Sequence, residues 1–420
     1  MRQFELDLRQ AVLALVHPIV VAALKAALAA AEAAYEPKKH EHWKGWSALE
    51  VHGLFGTHRF LRAYYYNAKT RQGHHPADAA LGLQGTYTPA LAQLTCWAGA
   101  ESDSFEMAEE QLRVLGAIVV PARQIHRLVQ RVGAAAVAWQ NQDHFPCEKT
   151  RVPVLYVSVD GTGVPMRPVE LQGRKGRQPD GTAKTRLTYL ACFFTQHGCD
   201  KKGRPLRDYQ STTYLAGFET SEAFGLRVRR EALRRGSGSA QKVVLLIDGA
   251  ASLENLGRLN FPNHLQIVDF YHALEHAGQV LQALWGPGHP DYRKQLHQWS
   301  ELLLRDGVAQ LIAQARRWAA ERNRTQAVAK ELGYFVRNLA RMQYGTFRKE
   351  GLFIGSGVIE AGCKHIVGAR CKQSGMRWSV VGAERILTLR CLKRSRRLDE
   401  FWNDQLQTPM PEPTINPANN

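Results

Sequence analysis

Asp160 and Asp248 each close a continuous apolar or β-branched run and precede a glycine, in Tyr156-Val157-Ser158-Val159-Asp160-Gly161 and Val244-Leu245-Leu246-Ile247-Asp248-Gly249. Such runs predict buried strands. A carboxylate at the C-terminal end of a strand sits where α/β sheets place ligands. Taken singly, either aspartate reads more readily as a turn former that ends its strand. Glu360 adds a third acid, in the first turn of a helix that starts after Gly355-Ser356-Gly357, with Ser356 as N-cap. The helix dipole favours an anion there. Three carboxylates cannot converge without a cation, and oxygen ligands of this kind suit Mg²⁺ or Mn²⁺. A pair of such ions activates the attacking oxygen and stabilises the leaving one in phosphoryl transfer. The chemistry suggested is metal-dependent, with Asp160, Asp248 and Glu360 as catalytic residues and metal ligands.

A third predicted strand, Leu265 to Val268, ends in Asp269-Phe270-Tyr271-His272-Ala273-Leu274-Glu275-His276. Asp269 and His272 share one face of a starting helix. As a structural zinc site this set is incomplete and has no cysteine nearby, so zinc is disfavoured. Asp269 is the chief competitor for the place of Asp248. Downstream of Glu360 lie Lys364, His365, Arg370, Lys372, Arg377, Trp378, Arg385, Arg390, Lys393, Arg394, Arg396 and Arg397, opposed only by Glu384. A basic run interleaved with Trp378 suits a DNA backbone beside the carboxylates, and a solvated helix face is the alternative. Across 420 residues, 55 Lys and Arg stand against 38 Asp and Glu, a formal net charge of +17 that fits a polyanionic partner.

These residues need a scaffold. Helical periodicity runs from Leu6 to Tyr35, and His17, Pro18, Lys25 and Glu32 interrupt it, which reads as an amphipathic helix rather than a membrane span. With no signal-peptide pattern and seven scattered cysteines lacking any C-x-x-C pair, the expectation is a cytoplasmic chain with reduced thiols and no membrane partner. Leu49 to Tyr66 alternates like a small antiparallel sheet. Helices follow at Pro89 to Ala98, Ser104 to Leu115 and Pro121 to Trp139. The last two resemble a helix-turn-helix, with Arg123, Arg127 and Arg131 set to reach DNA; an ordinary helical hairpin is the alternative. After Cys147 come strands Val152 to Val159, Arg186 to Thr195 and Tyr209 to Phe218, a helix Ser221 to Arg235, then strands Lys242 to Ile247 and Leu265 to Val268 around a short helix. That order predicts an α/β sheet covered by helices. Ala273 to Arg348 reads as helical, with breaks at Gly286-Pro287-Gly288-His289-Pro290 and near Gly333. The tail from Thr408 has the composition of a disordered segment.

Six ordered motifs, Val159-Asp160-Gly161-Thr162, Ile247-Asp248-Gly249, Val268-Asp269-Phe270-Tyr271-His272, Arg341-Met342-Gln343-Tyr344, Gly355-Ser356-Gly357-Val358-Ile359-Glu360 and Ser374-Gly375-Met376-Arg377-Trp378, resemble those of the Kra-type family of bacterial insertion-sequence transposases. The resemblance implies a ribonuclease H-like domain, a mixed five-stranded sheet with flanking helices and a large all-helical insertion, preceded by a mostly helical DNA-binding region. It implies that Asp160, Asp248 and Glu360 form a DDE triad using two Mg²⁺ or Mn²⁺ ions. Asp269 and His272 match a D-x-x-H element of Mutator-like relatives and are accessory residues. Lys364, Arg370, Lys372, Arg377 and Trp378 are expected against DNA. The domains implied are residues 1–88, 89–147, 148–272 with 351–402, 273–350 as the insertion, and a tail 403–420. Partners would be transposon-end repeats, target DNA and further copies of the chain. The stretch Tyr64 to Gly73 lacks the cysteine pairs usual in such proteins, which leaves the helix-turn-helix as the reader of DNA ends. A nuclease or resolvase that cuts without joining, and a DNA-binding descendant that does neither, are the rival readings.

Overall fold

A computed structural model describes residues 1–142, 152–176, 178–261 and 264–407. The tail from Thr408 and the boundary at Cys147 lie outside the described residues. The chain forms two compact units, residues 1–139 with 397–420 and residues 140–396.

The first unit holds α1 (Arg2–Ala33), a three-stranded antiparallel sheet of β1 (Glu41–Gly53), β2 (Gly56–Asn67) and β3 (Gln72–His74), and the helices α2 (Pro76–Ala80), α3 (Pro89–Glu101), α4 (Phe105–Gly116) and α5 (Ala122–Gln140). The alternating pattern of residues 49–66 thus produces the expected sheet, and α3 to α5 fall where periodicity puts them. The expected amphipathic division of α1 is absent, because no residue of it is buried and Phe4, Leu8, Val12, Leu15 and Ile19 are exposed. By length and composition α1 is long and apolar enough to cross a membrane. Glu32 on α1 accepts from the Ala63 amide at 2.7 Å, which fastens the helix to β2. The helix Leu398–Gln407 folds with this unit, where Phe401 meets Trp139 edge-on, although its sequence was expected to close the catalytic domain.

The second unit is built on β4 (Val154–Pro165), β5 (Thr185–Cys199), β6 (Pro205–Arg207), β7 (Thr213–Gly217), β8 (Lys242–Ile247) and β9 (Leu265–Val268). Its order is β6-β5-β4-β8-β9, with β7 also pairing β5, so the sheet has six strands and not the five expected. The extra strand does not widen it: β6 and β7 share one edge of β5, at Gln196–Cys199 and Tyr189–Phe193 respectively. β4 runs antiparallel to β5 and parallel to β8, and β8 parallel to β9. Parallel strands covered on both faces must be apolar throughout, which explains the unbroken Val-Val-Leu-Leu-Ile of β8.

One face of the sheet presents Leu155, Val157, Val159, Leu245 and Ile247. They pack against Phe224, Val228 and Ala232 of α6 (Ser221–Arg234) and Leu253 and Leu256 of α7 (Ala251–Asn260). By alternation, Tyr156, Ser158 and Leu246 face the other way. There Tyr156 stacks on Phe194 at 4.8 Å and Phe353 closes on both rings edge-on at 5.4 and 5.8 Å. The chain then runs through α8 (Phe270–Trp285), α9 (Tyr292–Leu303), α10 (Val308–Glu321), α11 (Thr325–Asn338) and α12 (Tyr344–Lys349). The expected break near Gly333 does not occur. Gly333 lies inside α11, where burial of Val328, Leu332 and Phe335 offsets the roughly 1 kcal/mol a helical glycine costs. The unit ends with α13 (Gly357–Gly362), a π-helix Cys363–Gly368, α14 (Ala369–Cys371) and α15 (Val380–Arg394), followed in the chain by α16 (Leu398–Gln407) of the first unit.

Because Leu245 is fully buried between strands and helices, Leu245→Ala is expected to cost about 2–5 kcal/mol. Leu206→Ala, at a side chain 47% exposed, should change stability by no more than about 0.5 kcal/mol. Urea unfolding of the two variants measures the difference.

Candidate active site

Strand register determines where the three aspartates fall. Ser158 pairs with Leu246 and Ile247 with Val268, so Asp160, Asp248 and Asp269 occupy one row across three adjacent strands. Neighbouring strands lie about 4.8 Å apart, and paired residues point to the same side. All three therefore belong to the face that carries Ser158 and Leu246, opposite α6 and α7. Asp160 is not the end of β4, which runs on to Pro165 beside β5. It stands where β4 has passed its last pairing with β8, and that leaves its carboxylate half-buried at the lip of the sheet.

The three carboxylates are held differently. Asp160 Oδ1 accepts from the Gly161 amide at 2.6 Å, and its Oδ2 meets the Cys363 thiol at 3.5 Å. Burial, reinforced by Asp160 itself, pushes the Cys363 thiol up, so it stays protonated and donates. Asp248 Oδ1 accepts from the Ala250 amide at 2.8 Å. Its main-chain oxygen accepts from the Tyr334 hydroxyl at 2.8 Å, and burial first, then the charges of Asp248 and Asp269, raise the Tyr334 pKa. Gly249 has φ +82°, and a Cβ there would lie 2.9 Å from the Tyr334 ring, so the turn after Asp248 requires glycine. Asp269 is fully buried and uses both oxygens on backbone: Oδ1 caps α8 through the His272 amide at 2.7 Å, and Oδ2 accepts from the Ser356 amide. A buried carboxylate is tolerable with such donors.

Glu360 arrives from α13, laid on β4 and β5. A Cβ on Gly362 would come 2.9 Å from Leu190 and 3.0 Å from Tyr214, so only glycine lets this helix approach so closely. Ser356 Oγ donates to Glu360 Oε1 at 3.0 Å. Among the described residues one group of three acidic or histidine side chains gathers its ligand atoms within 4.8 Å, and it is Asp269, His272 and Glu360. Asp160 and Asp248 are not in that group. Proximity thus favours Asp269, whereas accessibility favours Asp160 and Asp248. Each of the latter has one oxygen without a backbone donor, while Asp269 has none to spare. Carboxylate oxygens suit Mg²⁺ or Mn²⁺, and the imidazole in the group is a donor that Mn²⁺ accepts more readily than Mg²⁺.

The π-helix Cys363–Gly368 was not foreseen; insertion of one residue per turn leaves no mark in the periodicity, although such turns concentrate at functional sites. Arg390, buried, holds it by donating to the carbonyls of Ile366, at 2.7 Å, and His365. Beside it a cavity of about 480 Å³ is lined by Thr162, Cys363, Lys364, His365 and Lys372, among others. Lys372 Nζ donates to Thr162 Oγ1. Lys364, Lys372 and Arg377 are exposed. Arg370 and Trp378 are a correction: both are buried, with the guanidinium 5.1 Å over the indole, and the Trp378 Nε1 donates to the Cys371 carbonyl. Their stacking stiffens the segment and does not face a ligand.

In the first unit, Arg123 and Arg127 are exposed on α5. Arg131 is half-buried, donates to the Gln84 carbonyl and is pressed against Gly85; burial lowers its pKa. It braces its own unit, which removes it from the expected DNA-reading set.

Among solved structures the chain is similar to one described as Drosophila P element transposase strand transfer complex, at 9% identity and a TM-score of 0.28, covering 78% of this chain and 82% of that one. No curated protein matches the sequence. A model of an uncharacterised protein family, UPF0236, matches residues 4–395, nearly the whole chain, and the protein belongs to that family.

Proposed function

We propose that the protein is a DNA transposase of the Kra-type DDE kind, which cleaves a phosphodiester at a transposon end and joins the freed 3′-hydroxyl to target DNA. The observation that carries this reading is the row of Asp160, Asp248 and Asp269 across three adjacent parallel strands, with the helix of Glu360 laid on the same face. Three antiparallel strands followed by two parallel ones, in the order β7-β5-β4-β8-β9, is the arrangement expected of a ribonuclease H-like core. The exposed Lys364, Lys372 and Arg377 beside the carboxylates, and the net charge of +17, agree with a DNA substrate.

Asp160, Asp248 and Glu360 are assigned as the cation ligands. When bound, Mg²⁺ or Mn²⁺ supplies Lewis acidity to the phosphodiester and activates water or a 3′-hydroxyl as nucleophile. Asp269 positions the site: its carboxylate ties the start of α8 to the Ser356 amide and so fixes the origin of the Glu360 helix. Glu360, exposed at that helix start, is assigned to take the proton of the attacking hydroxyl. Lys364 and Lys372 neutralise the backbone beside the scissile bond. His272, within ligand reach of Glu360, is assigned as an accessory residue whose imidazole favours Mn²⁺ over Mg²⁺.

Asp160→Asn, Asp248→Asn and Glu360→Gln are each expected to lower metal-dependent plasmid nicking at least about 100-fold without a change in thermal midpoint; full activity in any of them removes that residue from the triad. Asp269→Asn should behave otherwise. An amide turned toward the Ser356 N–H forfeits a charge-assisted bond in a fully buried place, about 1.5–3 kcal/mol, so thermal midpoint and nicking fall together. Joining of a pre-nicked end to target DNA separates a transposase from a nuclease that only hydrolyses.

A further inference from the structure

A cavity of about 490 Å³ in the second unit lies away from these carboxylates, among Lys202, Arg204, Arg305, Arg348 and Lys349. Five cations from three separate chain segments, the β5–β6 turn, the α9–α10 turn and α12, converge on it. The single acid in the lining is Asp306, and it is already spent. Its Oδ1 accepts from the Gly345 amide at 2.6 Å, and its Oδ2 accepts from the Thr346 amide at 3.0 Å and the Thr346 hydroxyl at 2.8 Å. Arg204 shares Asp200 at 2.8 Å and Arg305 lies 3.8 Å from Glu301, both exposed pairs. Lys202, Arg348 and Lys349 make no ion pair among the described residues. Like charges gathered in this way repel one another, and the repulsion is relieved when an anion occupies the space between them.

Position narrows the anion. β5 carries Leu190 level with Asp160 and reaches Cys199 at its far end, where the thiol meets the Gly351 carbonyl just after α12. Nine residues of strand, shortened by the irregularity at Gln196–Gly198, correspond to at most roughly 30 Å. That separation is close to the ~34 Å of one duplex turn, after which a strand presents its phosphates again on the same side. We infer that this cavity is a phosphate-binding site, taking a backbone phosphate of DNA about one helical turn from the strand held at the carboxylates. The DNA source rests on the transposase reading; the phosphate chemistry does not.

The test uses the full chain in EDTA, so that binding is read without cleavage. The variant Lys202→Glu/Arg348→Glu/Lys349→Glu is compared with wild type and with Arg317→Glu/Arg322→Glu/Lys330→Glu, an equal charge change on exposed residues elsewhere. The probes are a 40-base-pair duplex titrated over a salt series and inorganic tripolyphosphate measured by calorimetry. Each phosphate contact contributes about 0.9 to the slope of log K against log salt for duplex DNA, so loss of the one phosphate held here should lower that slope by about 0.9 in the pocket variant, while the control keeps the wild-type slope. Tripolyphosphate binding lost from the pocket variant with duplex binding unaltered keeps the site and assigns it to a free oligophosphate. Unchanged binding of both probes, with all three proteins folded to the same thermal midpoint, overturns the proposal. Loss of phosphate binding in a protein that never nicks DNA would leave the pocket standing and sink the transposase reading.

Discussion

The buried carboxylate of Asp269 is the joint on which the site depends. It accepts the His272 amide in the first turn of α8 through Oδ1 and the Ser356 amide through Oδ2, so one side chain fixes the end of β9, the start of α8 and the start of α13. The backbone adds two further bonds at this place, from the Asp269 amide to Ile247 at 2.7 Å and from the Phe270 amide to Ile354 at 2.9 Å. Together they bring the loop Leu352 to Ser356 across the strand ends, and Glu360 follows one turn later. Without a donor for each oxygen, a charge with no exposure would be prohibitively costly. The helix dipole of α8 adds to its stabilisation.

The helical segment between β9 and α13 supports the same site from the side. Tyr334 of α11 reaches the Asp248 carbonyl, His276 of α8 stacks on the Tyr334 ring at 3.7 Å, and His276 Nδ1 lies 2.5 Å from Glu331. Arg341 ties Gln266 on β9, at 3.1 Å, to Glu254 on α7, at 3.0 Å. The segment is therefore part of the second unit's structure and not a separate module, which agrees with its grouping with residues 140–396.

Much of this was legible in the sequence where one physical effect dominates. The strands β8 and β9 and the helix α6 stand within a residue of their expected bounds, because continuous apolar runs and clear 3.6-residue periodicity leave few alternatives. β4 was read too short, since the strand continues past Asp160 on the strength of its antiparallel partner alone, and pairing of that sort has no local signature. The sixth strand, β6, shares an edge of β5 with β7, which only the three-dimensional register reveals. Among the proposed site residues, Asp160 and Asp248 stand out by the apolar runs they follow, and Glu360 by the basic helix around it and the family resemblance. The burial of Arg370 and Trp378 did not, because a guanidinium stacked on an indole looks in sequence like any basic, aromatic surface. Nor did the double duty of Asp269, whose proximity to Glu360 and lack of a free oxygen are both properties of folded geometry.

The central claim is that Asp160, Asp248 and Glu360 hold a divalent cation beside a DNA backbone. It is tested most directly by anomalous diffraction from crystals grown with DNA and Mn²⁺. The account predicts a manganese peak about 2.0–2.3 Å from oxygens of Glu360 and of at least one of Asp160 and Asp248, with Asp269 still bonded to the Ser356 amide. A peak bound by Asp269 and His272 without Asp160 or Asp248, or none anywhere along this row of strand ends, would contradict it.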